Sequence, residues 1–151
     1  MNHFKALAVG SIFASILATG SVALADKIEL GAVPAPVTKA FAARYPKLTP
    51  TKAEKEVGKD KVVTFELKAD KTEATFTADG TFLEEEMVVA VTSIPAAVSK
   101  AFAAKYPKAK ADRAEKQVKA DKTTTYELAF ASARGRTEAT FKDDGSFVEE
   151  E

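Results

Sequence analysis

The sequence contains no cysteine and no tryptophan, and its single histidine is His3. A thiol nucleophile is therefore excluded, and an imidazole base or a zinc site built from Cys and His has almost no residues to use. Charge excludes a second group of functions. The 22 basic residues balance the 22 acidic ones, so no net field would draw the chain to nucleic acid or to an anionic membrane. These absences predict a protein with no catalytic residues, no cofactor and no metal.

The N-terminus has the pattern of a signal peptide. Lys5 precedes an apolar run from Ala6 to Ala23, and the segment Ala23-Leu24-Ala25 ends in the small-x-small pattern that signal peptidase cleaves. A membrane anchor fits less well, because the run is short and no basic cluster follows it. We expect cleavage after Ala25, which makes residues 1–25 the signal peptide and the mature chain periplasmic or secreted.

The remaining chain is internally repeated. Residues 33–68 align with residues 94–129 at an offset of 61, with 20 identities in 36 positions. Residues 72–86 align with residues 137–151 at an offset of 65, with 11 identities in 15 positions. The change of offset places a four-residue insertion in 131–136, which predicts a longer turn in the second copy. One structural unit of about 60 residues therefore occurs twice, over residues 26–90 and 91–151.

Each copy begins with a predicted helix. In the first copy, Val37, Ala40, Phe41 and Tyr45 have the i, i+3, i+4, i+8 spacing of an apolar stripe, and a proline directly after Tyr45 ends the segment. The second copy repeats this pattern 61 residues later. Two aromatic residues on one helix face could stack on a ligand, but this spacing is more typical of core packing.

After each helix the hydrophobic period changes to two, which predicts half-buried strands. Asp79-Gly80 and Asp144-Gly145 have the composition of tight turns before the last strand of each copy. The segment 88–93 between the copies is apolar and β-prone, so we expect one compact body without a flexible linker. The predicted fold is α+β, with two tandem repeats that each pack one helix on a four-stranded antiparallel sheet.

Runs of three glutamates, 84–86 and 149–151, end the two copies. Calcium binding is the functional interpretation of such runs, but consecutive residues of a strand point to opposite faces, so a run does not present its three carboxylates on one side. Lysines are also frequent, and they alternate with acidic residues almost one for one. Both features predict a solvated surface of mixed charge.

The order of these motifs resembles that of a known family. The Val-x-x-Ala-Phe-Ala-Ala helix, Tyr-Pro, the Glu-Leu strand, the Glu-Ala-Thr-Phe strand and Asp-Gly are similar to those of the PepSY-like family, whose fold is likened to that of β-lactamase inhibitor proteins. The resemblance covers residues 33–151. It implies a small exported α+β module, often in tandem, without enzymatic activity. Related PepSY domains are thought to restrain peptidases, and the inhibitor fold holds its target with an exposed concave sheet.

A candidate binding surface follows from the strand alternation. If the helices cover one face of each sheet, the opposite face carries every second strand residue. We expect a protein or peptide partner from the cell envelope or the extracellular space to dock on these residues, which are Thr64, Glu66, Lys68, Glu73, Thr75 and Thr77 in the first copy and Thr125, Glu127, Glu138, Thr140 and Lys142 in the second.

The sequence is compatible with two functions. The first is a non-enzymatic binding or regulatory module that recognises a protein or peptide through the exposed sheet face. The alternative is a carrier that holds a small ligand or ion between the two repeats. A deep closed pocket between helices and sheet would favour the carrier, and a packed core beneath a broad polar sheet would favour the binding module.

Overall fold

The structure, a computed structural model, describes residues 24–58 and 60–151. The predicted signal peptide lies outside the described residues except for Leu24 and Ala25, which begin the first strand. The elements are β1 (Leu24–Ile28), α1 (Ala35–Arg44), β2 (Lys52–Val57), β3 (Val63–Ala69), β4 (Thr72–Thr77), β5 (Phe82–Val89), α2 (Ala96–Lys105), β6 (Ala111–Lys119), β7 (Thr124–Ser132), β8 (Gly135–Lys142) and β9 (Phe147–Glu150).

The described strands form one antiparallel sheet of nine strands, and their order in the sheet is their order in the sequence. This α+β architecture agrees with the predicted class but differs from two four-stranded sheets in two respects. β1 adds a strand that the sequence did not predict, because Leu24–Ile28 has no clear alternation. β5 and β6 are also hydrogen-bonded neighbours, so the sheet is continuous between the two copies.

Both helices pack on the same face of this sheet. Val37 and Phe41 of α1 are buried against Phe65, Leu67 and Phe76. The second core repeats the arrangement with Val98 and Phe102 of α2 packed against the sheet residues Leu128, Phe130, Ala139 and Phe141. The helical aromatic residues therefore pack in the core. Val57, which lies opposite Val63 at the end of β2, is 45% exposed.

β5 belongs to both halves of the sheet. Its residues 82–87 pair with β4, and its residues 84–89 pair with β6. Ile28 of β1 lies opposite Ala53, and Val89 of β5 lies opposite Ala114, at the same sequence offset of 61. The end of β5 thus occupies in the second half the place that β1 has in the first.

The turns at Asp79-Gly80 and Asp144-Gly145 occur at the predicted positions. Gly80 and Gly145 have φ values of 88° and 87°, which glycine adopts without strain. Asp79 and Asp144 accept hydrogen bonds from the backbone N–H groups of Thr81 and Ser146 at 3.1 and 2.8 Å. The four-residue insertion lengthens the β7–β8 hairpin, whose strands have nine and eight residues against seven and six in β3–β4.

Candidate binding face

The sheet has a second face, opposite the helices, which we call the open face. The register places all eleven predicted residues on it. Thr64, Glu66 and Lys68 of β3 lie opposite Thr77, Thr75 and Glu73 of β4. In the second half, Thr125 and Glu127 of β7 lie opposite Lys142 and Thr140 of β8, and Glu138 lies opposite Ala129.

The open face also carries residues that the sequence analysis did not select. They occupy the outward positions of the strands beside and between the predicted ones, and a row that runs Glu73, Glu86, Gln117, Thr125 joins the two halves. The alternation of buried and outward positions around Ala53 and Ala114 could have predicted part of this set. The added residues include Glu54, Glu56, Glu84, Glu86, Arg113, Glu115, Gln117, Lys119 and Glu149.

In the first half, a single lysine forms ion pairs with three of these carboxylates. The Nζ of Lys68 lies 2.9 Å from Glu66, 3.2 Å from Glu73 and 3.6 Å from Glu54. These glutamates come from three neighbouring strands, so the ammonium group bridges the sheet. Burial lowers the pKa of Lys68, but hydrogen bonds and charge interactions with Glu66 and Glu73 outweigh it and raise this pKa above its usual value.

The middle and second half of the open face carry more negative charge than their cations balance. Arg113 pairs with Glu115. Gln117 donates its Nε2 hydrogen to Glu86 at 3.1 Å and accepts from the hydroxyl of Thr125 at 3.0 Å. Glu86 therefore has a neutral partner in place of a cation.

Burial and like charge raise the pKa values of these carboxyl groups. Burial raises the pKa of Glu66 to about 7, with Lys68 opposing the shift. For Glu86, burial and then the charges of Glu115 and Glu84 raise the pKa to about 9. Burial, followed by the charge of Glu138, raises the pKa of Glu127 to about 7. The open face thus holds carboxylates that would gain from a cation.

The exposure of the predicted residues determines which of them a partner could touch. Glu66 is 3% exposed and Thr140 is 5% exposed, so both lie beneath their neighbours. Lys142 is exposed, and Thr75 and Glu127 are partly exposed. A partner on this face would therefore meet the partly exposed residues directly and Glu66 only through Lys68.

The middle glutamate of each run points to the helix face. The hydroxyl of Tyr45 donates to Glu85, and the hydroxyl of Tyr106 donates to Glu150. Burial raises the pKa of both tyrosines, and the neighbouring carboxylates add to this effect. These pairs tie the end of each helix to the sheet, so the glutamate runs divide between the two faces as strand geometry requires.

The helix side of the second half also has an open cleft of about 350 Å³. It lies between the segment after α2 and the long β7–β8 hairpin, and its lining includes Tyr106, Phe130 and Ser132. Ala109, which lines it, stands where the first half has Leu48 packed against the core. The cleft therefore belongs to the second half and does not lie between the two halves.

Within the two described ranges, no group of three or more acidic or histidine side chains is arranged to hold a metal ion. Neither described helix combines the length and the hydropathy that a membrane-spanning helix needs.

Comparison with known proteins identifies the family. A family model described as beta-lactamase-inhibitor-like and PepSY-like matches residues 23–70 and 59–149. The chain belongs to this PepSY-like family, as its motifs indicated. No curated protein sequence matches the chain.

Solved structures of low sequence identity share the fold. A DUF2874 family protein from Bacteroides uniformis has a TM-score of 0.62 at 15% identity, over 78% of this chain and 88% of that one. A BLIP-like protein from Bacteroides fragilis has a TM-score of 0.60 at 20% identity, over 78% of this chain and 85% of that one. A protein from Bacteroides eggerthii described as periplasmic has a TM-score of 0.60 at 15% identity, over 79% and 88% of the two chains.

Proposed function

We propose that this protein is an exported, non-enzymatic binding module of the cell envelope that recognises a protein or peptide through its open face. In this proposal, residues 1–25 direct export to the periplasm or the extracellular space. Residues 26–90 and 91–151 form two repeats that together present the binding surface. Family membership and the description of a structural relative as periplasmic support this location.

One observation carries the proposal. The helices cover only one face of the sheet, and the other face places carboxylates from both halves side by side. Burying a carboxylate without a cation is unfavourable, as the raised pKa values of Glu86 and Glu127 show. A partner that brings positive charge and hydrogen-bond donors to this face would relieve that cost.

The helix side offers less to a partner. Its apolar residues form two packed cores, and the aromatic residues at the helix ends are engaged with glutamates of the sheet. The carrier alternative calls for a deep closed pocket between helices and sheet, whereas the cleft at Tyr106 is open and lies between the segment after α2 and the β7–β8 hairpin. The geometry therefore favours the binding module.

Site-specific photo-crosslinking in the native envelope tests the proposal. A photoreactive amino acid at Thr75 or Lys142 samples the open face, and the same amino acid at Lys39 or Lys100 samples the exposed side of the helices. We expect one discrete crosslinked partner from the open-face positions and none from the helix positions. Capture from Lys39 and Lys100 alone would mean that the helix side is the binding surface.

A further inference from the structure

The two halves of the open face hold the same three glutamates. In the first half, Glu54 lies opposite Glu66 and Lys68 lies opposite Glu73. The corresponding residues of the second half are in the same register. Glu115 lies opposite Glu127, and Glu138 lies opposite Ala129. Each half thus has a glutamate triad spread over three adjacent strands.

The two triads differ in their central residue. In the first half, Lys68 places its ammonium group among the three carboxylates at 2.9–3.6 Å. In the second half, the same position on β7 is Ala129, which has no charge. The first triad therefore holds its own ammonium group, and the second has the same carboxylates without that lysine.

A neighbouring cation replaces the missing lysine at only one of the three carboxylates. Arg113, which lies opposite Ala129, pairs with Glu115. Among the described residues, no cationic side chain lies within ion-pair distance of Glu127 or Glu138. Two of the three carboxylates in the second triad are therefore available to a cation from outside.

The electrostatics of Glu127 agree with this geometry. Burial raises its pKa, and the like charges of Glu138, Glu115 and Glu151 raise it further. The charge of Arg113 lowers this pKa, and its effect is the smallest of these. Thr140 lies opposite Glu127 on β8. The charges that face Glu127 from β6, from β8 and from the end of the sheet are thus mainly negative.

We propose that the second triad, Glu115, Glu127 and Glu138, receives the ammonium group of a lysine side chain from a partner protein, in the place that Lys68 occupies in the first triad. This inference rests on the proposed function and specifies the partner chemistry of the same face. The first triad holds its cation as an ammonium group, at N···O distances of 2.9–3.6 Å. The second triad has the corresponding carboxylates in the same register, so an ammonium group is the cation that the comparison of the two halves supports.

The experiment uses the mature chain and n-butylammonium, which reproduces the end of a lysine side chain. Carboxyl ¹³C resonances of the glutamates are followed by NMR during titration at a pH above about 8, where Glu127 is ionised. We expect saturable shifts at Glu127 and Glu138 and none at Glu73, because Lys68 already occupies the first triad. Equal shifts at both triads, or none at Glu127 and Glu138, would overturn the proposal.

Two substitutions make the test specific. Ala129→Lys gives the second triad its own ammonium group, so we expect the butylammonium shifts to disappear and the pKa of Glu127 to fall. Ala129→Met adds a similar length without charge, and it should leave the pKa of Glu127 raised. The reciprocal variant Lys68→Ala should create a second butylammonium site at Glu66 and Glu73. If Ala129→Lys still binds butylammonium as the natural chain does, the site lies elsewhere.

A further comparison separates this inference from the proposed function. The photo-crosslinking at Thr75 and Lys142 is repeated in the Ala129→Lys variant. Loss of the crosslinked partner supports the lysine site. Undiminished crosslinking would contradict the lysine site but would leave the open face as the binding surface. In the NMR titration, a shift of the Glu127 resonance by calcium but not by butylammonium would indicate a metal site and would also contradict the proposal.

Discussion

At the scale of single residues, Glu86 has the largest electrostatic cost on the open face. Burial and then the charges of Glu115, Glu84, Glu127 and Glu73 raise its pKa to about 9. Because the folded state holds this proton more tightly than the unfolded chain, the group stabilises the fold below its unfolded pKa. That contribution is lost as the pH rises through the folded pKa. The same sign applies to Glu66 and Glu127, whose pKa values are raised to about 7.

We therefore predict that the protein is more stable at about pH 5 than at about pH 9. Glu86→Gln keeps an oxygen that can accept from Gln117 and removes the charge. It should raise the melting temperature by about 3–6 °C at the alkaline pH, after allowing for screening on a partly exposed face, and change it little at the acidic pH. Thermal melts over this pH range measure both effects. Glu29→Gln, at an exposed position outside the face, is the control, and equal gains in both variants would contradict the assignment to Glu86.

The sequence predicts which residues lie on the open face, but it does not predict which of them form ion pairs. Alternation within a strand gives the side on which Glu66, Lys68 and Glu73 lie. The contact of Lys68 with Glu54 depends on the register between β2 and β3, which the pattern of one strand does not contain. For the same reason, the difference between Lys68 and Ala129 became meaningful only when their neighbours were known.

At the scale of elements, a turn packs against the beginning of each helix. A Cβ added at Gly80 would lie 2.7 Å from the backbone oxygen of Pro36, and one at Gly145 would lie 2.7 Å from that of Ala97. Both glycines also have positive φ values. The Asp-Gly turns therefore provide the reversal of the chain and the close approach of the hairpin to the helix, and the sequence predicted only the first of these roles.

A series of glycine substitutions separates the two effects. Gly80→Ala combines backbone strain with a clash, so we expect a loss of about 2–4 kcal/mol in the free energy of unfolding. Gly135→Ala has a φ of 115° and open space, so its loss should be about 1 kcal/mol. Gly31→Ala meets nothing within 4 Å and should be nearly neutral. Urea denaturation measures the three values, and equal losses at Gly80 and Gly135 would show that the contact with Pro36 is unimportant.

At the scale of the whole molecule, β5 makes the two halves depend on each other. The sequence predicted the helices, most strands and a β-prone connection. It did not predict that one strand would complete both halves. The strands β5 and β6 pair across a connection that contains α2, and the pattern of a single strand does not show such a pairing. The 60-residue unit is also small enough that burial and chain entropy nearly cancel.

We predict that the mature chain unfolds in a single cooperative transition. The fragment 26–90 keeps α1 and most of the first core but leaves the β6 side of β5 unpaired, so it should be much less stable than the mature chain or unfolded at 25 °C. Circular dichroism during heating and in urea measures both proteins. Two transitions in the mature chain, with one matching the isolated fragment, would show that the halves fold independently.

The shared strand also constrains insertions and deletions. Glu84 and Glu86 point to the open face, while Glu85 and Val89 point to the helices, so the number of residues along β5 sets the orientation of everything after it. An insertion of one residue in the middle of β5 would rotate the second half by about half a turn relative to the first. α2 would then lie on the opposite side of the sheet from α1. The carboxylates of the second half would no longer share a surface with those of the first half. An insertion of two residues would keep the surface whole, so change in this strand is tolerated only in even steps.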